Sequence, residues 1–408
     1  MSSKTNDIAS GRMAFLLLLP FQFMFGLIYA WGSLAPVIHA RTGWSDAVLD
    51  LAFSVTPLVL SPSVLMGGYL AGRFEPRNVL AGALVCFVGG GALGCCSASP
   101  MLFIIGYGCI ALGLGAGLST PACVALIGRA VLKSRGLWSG ALLAVYGSSA
   151  IVSAPLFYVL AEHLHWQLAL GILCGCYAML GIIALCKIPT APEPRHDVTA
   201  TPSARLSAWS WRSARAILVN TLLLVATVPL GSMIFGAIGR LALSAGFSAS
   251  LSMTAVTLMA LANGAGRFAG GWLSDVTSAP TARAVMLACA AAGYCVLLVS
   301  QHWHGTTLLF WMLPALVGFS FGGLAGKLPA LAAYTSMTRA TEVFSIYFGV
   351  FALSSFGGPF LSATLGFPMA VALCGGLTIT GFAVALLLAG SAHAAKWNSL
   401  ARAKEHLR

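Results

Sequence analysis

Lys187-Ile188-Pro189-Thr190-Ala191-Pro192-Glu193-Pro194-Arg195-His196-Asp197 opens the longest polar stretch of the chain, which runs on to Arg215. Its prolines and charges mark a linker. On either side the sequence is of another kind. Charge-poor runs of span length are read at 13–38, 48–72, 79–96, 101–127, 137–161 and 168–186 before it, and at 216–238, 248–274, 284–300, 306–337, 343–363 and 368–390 after it. These runs are too long and too uniformly apolar for the alternating strands of a barrel. In hydrocarbon only a helix or a closed barrel satisfies every backbone group, so each run is expected to be a transmembrane helix. The expected fold is an all-α membrane bundle of twelve helices: a six-helix half at 1–186, a cytoplasmic linker at 187–215 and a second six-helix half at 216–408.

Composition agrees. Of 408 residues 59% are hydrophobic and 8% charged, whereas a soluble domain carries about a quarter of its residues as charges. The net charge of +12 does not point to nucleic acid, because the cations are scattered between apolar runs. They alternate by side instead. Segments holding Lys4, Arg12, Arg73, Arg77, Arg129, Lys133, Arg135, Lys187, Arg195, Arg205, Arg212, Arg215, Arg283, Arg339, Lys396, Arg402, Lys404 and Arg408 contain 18 of the 22 cations, and the opposite loops hold only Arg41 and Arg240. The positive-inside rule therefore puts both termini and the linker in the cytoplasm. A weak internal repeat supports two pseudo-symmetric halves: Gly68-Tyr69-Leu70-Ala71-Gly72-Arg73 resembles Gly271-Trp272-Leu273-Ser274-Asp275, an offset of 203 residues. Paired six-helix halves are the layout of a carrier that rocks around a central site.

The first apolar run is too long for a secretory signal core. All 11 cysteines lie in or at the end of apolar runs, so neither a disulfide framework nor a zinc site is expected. His302 and His304, without a carboxylate or cysteine, make an incomplete metal site. Gly113-Leu114-Gly115-Ala116-Gly117 lacks the Lys-Ser/Thr ending of a phosphate loop. No metal, cofactor or enzymatic activity is expected.

Two cations remain inside spans. Arg267 lies eight residues before Asp275, about 12 Å from that end of its helix, and Lys327 lies twelve residues before Arg339, about 18 Å by the same rise. A cation at that depth costs several kcal/mol unless it faces a partner or a wet cavity. No Asp or Glu lies deep in any span. The pair therefore reads as a site for a small mono- or dicarboxylate, since arginine's planar fork matches a carboxylate and lysine adds a compact charge. The plainer alternatives are that Lys327 snorkels to the inner interface and that Arg267 braces Asp275. Asn263, one turn before Arg267, shares its face and can orient the guanidinium or bind substrate. Tyr29, Tyr146 and Tyr347 lie well inside spans, where a phenol can donate one hydrogen bond to a carboxylate.

Together these residues resemble the major facilitator superfamily, and within it the oxalate/formate antiporter and monocarboxylate transporter branch. Asn263-Gly264-Ala265-Gly266-Arg267 with Gly271-Trp272-Leu273-Ser274-Asp275 is similar to the eighth-helix signature whose arginine binds the substrate carboxylate. Tyr29-Ala30-Trp31 with Thr42-Gly43-Trp44-Ser45, and Pro121 with Arg135-Gly136-Leu137 and Gly140, match further along. The resemblance implies a gating role for the cytoplasmic-loop residues Asp275 and Arg283 and for Arg73 and Arg77, although Gly72 stands where an aspartate is common. It also implies a second substrate lysine in the eleventh helix; the stretch from Phe348 to Phe351 has none, and Lys327 is the candidate substitute. Asn263 stands where proton-coupled relatives carry an aspartate, which favours antiport or facilitated diffusion. The expectation is a monomeric carrier of oxalate, formate, lactate or related acids in a bacterial-type inner membrane, with lipid and substrate as its partners. A drug-efflux carrier or a transporter-fold sensor is the alternative reading.

Overall fold

The computed structural model describes residues 2–96, 98–131, 134–189, 210–300 and 307–405. Most of the linker (190–209), Lys133, His302 and His304 lie outside the described residues. Before the linker run α1 (Ser2–Gly26), α2 (Trp31–Thr42), α3 (Asp46–Arg73), α4 (Pro76–Cys95), α5 (Pro100–Phe103), α6 (Gly115–Ala130), α7 (Arg135–Ser148), α8 (Ala150–His163) and α9 (Trp166–Lys187). After it come α10 (Trp211–Ser244), α11 (Ala249–Val276), α12 (Ala279–Ser300), α13 (Thr307–Gly326), α14 (Leu328–Thr335), α15 (Ala340–Leu365) and α16 (Phe367–Glu405). No strand occurs among the described residues.

Among the described residues, eleven helices are long and apolar enough to cross a membrane. The remaining expected span is α11, whose 28 residues include Asn263, Arg267 and Asp275 and fall outside those eleven. Large apolar side chains such as Val85, Met179, Leu222 and Leu387 stand on the outer surface. In water such a surface would aggregate; against lipid tails it is the expected lining.

Several expected spans are interrupted, and two interruptions position functional groups. The run at 13–38 is broken by a 3₁₀ turn, Leu27–Ala30, which carries Tyr29; such turns often mark hinges. The run at 306–337 breaks at Lys327, between α13 and α14. Pro329 is the cause available in the sequence, because it lacks an N–H and its ring crowds the carbonyl four residues back. The run at 101–127 contains a π-helical stretch, Ile104–Leu114, and the run at 137–161 divides at Ser149, whose hydroxyl donates to the Phe23 carbonyl at 2.8 Å.

The helices before the linker meet those after it along two seams, α7 on α11 and α3 on α15. The α7–α11 seam is antiparallel and regular: Asp275 meets Gly136, Gly271 meets Gly140, Arg267 meets Leu143, and Gly264 meets Ser148. The steps of about one helical turn are those of interlocking ridges on two helices. At Gly271 there is no room for a side chain, since a Cβ would lie 2.8 Å from the Gly140 Cα and collide with the Gly136 carbonyl. In the other seam a Cβ on Gly68 would strike Ser345, while one on Gly349 would lie 3.1 Å from the Ser61 carbonyl. Gly68 and Gly271 are the corresponding residues of the repeat, so both of its copies sit on seams.

Candidate functional site

Arg267 is fully buried, with 0% of its surface exposed. It projects from α11 into the α7–α11 seam. Its Nη2 donates to the Tyr29 hydroxyl at 2.6 Å, its Nε to Asn263 Oδ1 at 3.3 Å, and its Nη1 to the Leu143 carbonyl at 3.5 Å. The Tyr29 and Tyr146 rings flank the guanidinium, each with its centroid 5.4 Å from Cζ, within cation–π range. The two rings are set edge to face at 5.7 Å, and Phe235 from α10 closes against Tyr29 at 5.9 Å. Gly147 makes the space, because a Cβ there would lie 2.8 Å from Arg267 Nε.

All three acceptors of Arg267 are neutral, and it makes no ion pair with a described acidic residue. A guanidinium has five N–H groups, so three bonds leave two unassigned. The Tyr29 oxygen accepts from Arg267, which leaves its own proton to donate. Asn263 is fully buried, and its Nδ2 has no acceptor. Buried donors without acceptors are rare and costly. Here they cluster around one uncompensated charge at the junction of the two sets of helices, a place suited to one small anion.

Of the residues expected around the substrate, Arg267, Asn263, Tyr29 and Tyr146 come together. Two do not. Gly326 packs against the Arg267 backbone, so Lys327 has the expected depth, while the contacts of Gly293 with Val317 and of Gly323 with Met286 bring it level with Arg283 on α12. Tyr347 hydrogen-bonds to Asn220 at 3.1 Å and to Thr335 at 3.0 Å, and Asn220 bonds to Arg283, so Tyr347 stands in the Arg283 cluster. The reason is the same for both: depth in a helix does not say which face a residue occupies.

The expected gating residues also separate. Asp275 accepts hydrogen bonds from the backbone N–H groups of Gly136 at 3.0 Å and Leu137 at 2.7 Å. These are first-turn donors of α7, whose N-cap Ser134 makes no side-chain cap bond; a carboxylate there satisfies orphan donors and complements the helix dipole. Asp275 thus ties one set of helices to the other. Arg77 instead donates to the Leu185 carbonyl near the end of α9 at 3.2 Å, and Arg73 stacks on Tyr69 at 4.3 Å. Arg283 is buried within the later helices and bonds to Asn220. Asn220, Leu143 and Gly147 carry parts of these clusters that the sequence reading did not single out. Only Asn220 left a signal, as a lone amide in an apolar run.

A model of the Major Facilitator Superfamily matches residues 16–359, and the chain belongs to that superfamily. It is a transporter by family, not an enzyme. An uncharacterized MFS-type transporter of Mycobacterium tuberculosis is 28% identical over 166 residues, 40% of this chain and 23% of that protein. Monocarboxylate transporter 13 of Bos taurus is 27% identical over 230 residues, 54% of this chain and 51% of that protein. The alignments therefore span under a quarter and about half of these curated relatives. Among solved structures, the E. coli fucose:proton symporter FucP in its outward conformation superposes with a TM-score of 0.69 at 15% identity, covering 93% of this chain and 99% of that one. The proton:xylose symporter XylE bound to 6-bromo-6-deoxy-D-glucose gives 0.71 at 13% identity, with 93% and 95% covered. At these identities the likeness establishes the fold.

Proposed function

We propose that this chain is a secondary carrier of small organic anions, mono- or dicarboxylates of the size of formate, oxalate or lactate. The observation that carries the reading is Arg267, wholly buried between two sets of helices with only neutral acceptors around it. An entering carboxylate supplies the missing negative charge and takes up the unassigned N–H groups; Tyr29 donates its proton, and Asn263 holds the guanidinium from behind. Binding neutralises the cation, which removes the cost of keeping it in a dry site. The two halves, 1–186 and 216–408, then rock about the site, with Asp275 closing the seam on the cytoplasmic side. The excess of Lys and Arg in one set of loops supports that orientation in an inner membrane, with both termini cytoplasmic. The similarity to bovine monocarboxylate transporter 13 supports the substrate class and the monocarboxylate side of that branch. Working as a monomer suits a site contained within one chain.

Purified protein in liposomes is expected to take up labelled formate, lactate or oxalate saturably, with each competing against the others and neither fucose nor xylose competing. Uptake of a sugar alone, or of none of these acids, overturns the reading. Dependence on unlabelled acid inside the vesicles identifies antiport. A second prediction concerns the phenol: Tyr29→Phe keeps the ring and removes one hydrogen bond to a charged partner, about 1.5–3 kcal/mol. The expected result is a KM raised roughly ten- to a hundredfold with the helical content kept; an unchanged KM removes Tyr29 from the site.

A further inference from the structure

A second group of buried cations lies in the later helices, away from Arg267. Arg283 on α12 is 4% exposed and Lys327, at the break between α13 and α14, is 1% exposed. Across the antiparallel α12–α13 contact Gly293 meets Val317 and Gly323 meets Met286, and the next turn brings Arg283 level with Lys327. Neither makes an ion pair with a described acidic residue. Arg283 spends Nη1 on Asn220 Oδ1, and its Nε is buried without an acceptor. Asn220 is held in turn by donating from Nδ2 to the Tyr347 hydroxyl at 3.1 Å and to the Ala216 carbonyl at 2.7 Å, and Tyr347 is braced by Thr335 at 3.0 Å. Arg283 is thus fixed in place by a chain of neutral groups, with a free donor left over and a like charge beside it. Two like charges at low dielectric repel strongly, and no described acidic residue pairs with them. A structural role alone would be served better by an apolar pair.

We propose that Arg283 and Lys327 hold a compact anion, a halide or a single carboxylate group, at a second site separate from the one at Arg267. Arg283 Nε and the Lys327 ammonium are its donors, and burial of both cations restricts it to something small. The site does not depend on the carboxylate reading of Arg267. It is therefore tested where that site has been removed.

In the Arg267→Gln protein, purified at full length in a bulky sulfonate buffer, sodium chloride and sodium formate are titrated separately while thermal unfolding is followed. Saturable stabilisation by at least one salt is expected. Chloride acting alone identifies a resident inorganic anion, and formate acting as well identifies a place where a carboxylate can bind. Adding Lys327→Gln to this background is expected to weaken the apparent Kd by about tenfold or more, whereas Lys327→Arg retains binding. No saturable stabilisation by either salt, or stabilisation indifferent to Lys327→Gln, overturns the proposal. Should Lys327→Gln fail to fold, Arg283→Lys is read in its place, since it keeps the charge but loses the Nε donor and is expected to weaken binding to the same extent.

Discussion

Arg267→Ala protein in liposomes is expected to lose carboxylate uptake by two to three orders of magnitude while keeping its helical content. Removing one partner of a buried ion pair costs about 3–5 kcal/mol, and each 1.4 kcal/mol is tenfold. In the unliganded protein the same residue is bonded only to neutral groups, Tyr29, Asn263 and the Leu143 carbonyl, so its loss removes a buried, uncompensated charge. The fold is expected to gain or hold stability as transport disappears. Arg267→Lys separates charge from shape: a point charge without the planar fork retains weak uptake. Circular dichroism and thermal melts distinguish loss of function from loss of fold. Uptake within a few-fold of the unaltered protein would remove Arg267 from the substrate path.

Gly271→Leu is expected to abolish closure of the seam at Asp275. A leucine there meets the Gly136 carbonyl and the Gly140 backbone, which cannot yield as a side chain can. Overpacking costs about 1–3 kcal/mol, a shift of roughly fivefold to a hundredfold or more between two states. Spin labels on cysteines replacing Arg129 and Thr277, both exposed, in a cysteine-free background would report the change. The expected outcome is a distance distribution displaced to longer values, with uptake reduced at least tenfold. Gly236→Leu serves as the control, because a Cβ at Gly236 meets nothing within 4 Å. Equal distributions for the two variants would show that the α7–α11 seam does not govern closure.

Much of this site was legible because burying charge is expensive. A cation within an apolar run stands out in any sequence, and Arg267 drew attention to Asn263 one turn away. Tyr29 and Tyr146 were legible as phenols far from a lipid interface. Tyr347 carries the same signature, yet it braces Asn220. Lys327 shows the limit more sharply. Its neighbour Gly326 touches the Arg267 backbone, but at 3.6 residues per turn one step rotates the side chain by about 100°. Depth is a count along the chain; azimuth is set by packing between helices far apart in sequence. The breaks at Leu27–Ala30 and at Lys327 were hidden for a related reason, since uniformly apolar runs read as continuous whether or not the backbone bends.

The α7–α11 seam behaves like a zipper whose last tooth alone carries a formal charge at the water's edge. Asp275 occupies that end, and Arg267 lies two turns further in. Water can take over the bonds that Asp275 makes to Gly136 and Leu137, but nothing can replace the interlocked glycines until that end has parted. On the proposed reading, separation begins at Asp275 and travels inward, and the arginine is uncovered only after the Gly271–Gly140 contact has parted. A ligand held there would be retained until the zipper is almost fully undone, so its departure would be timed by the helices rather than by its own affinity.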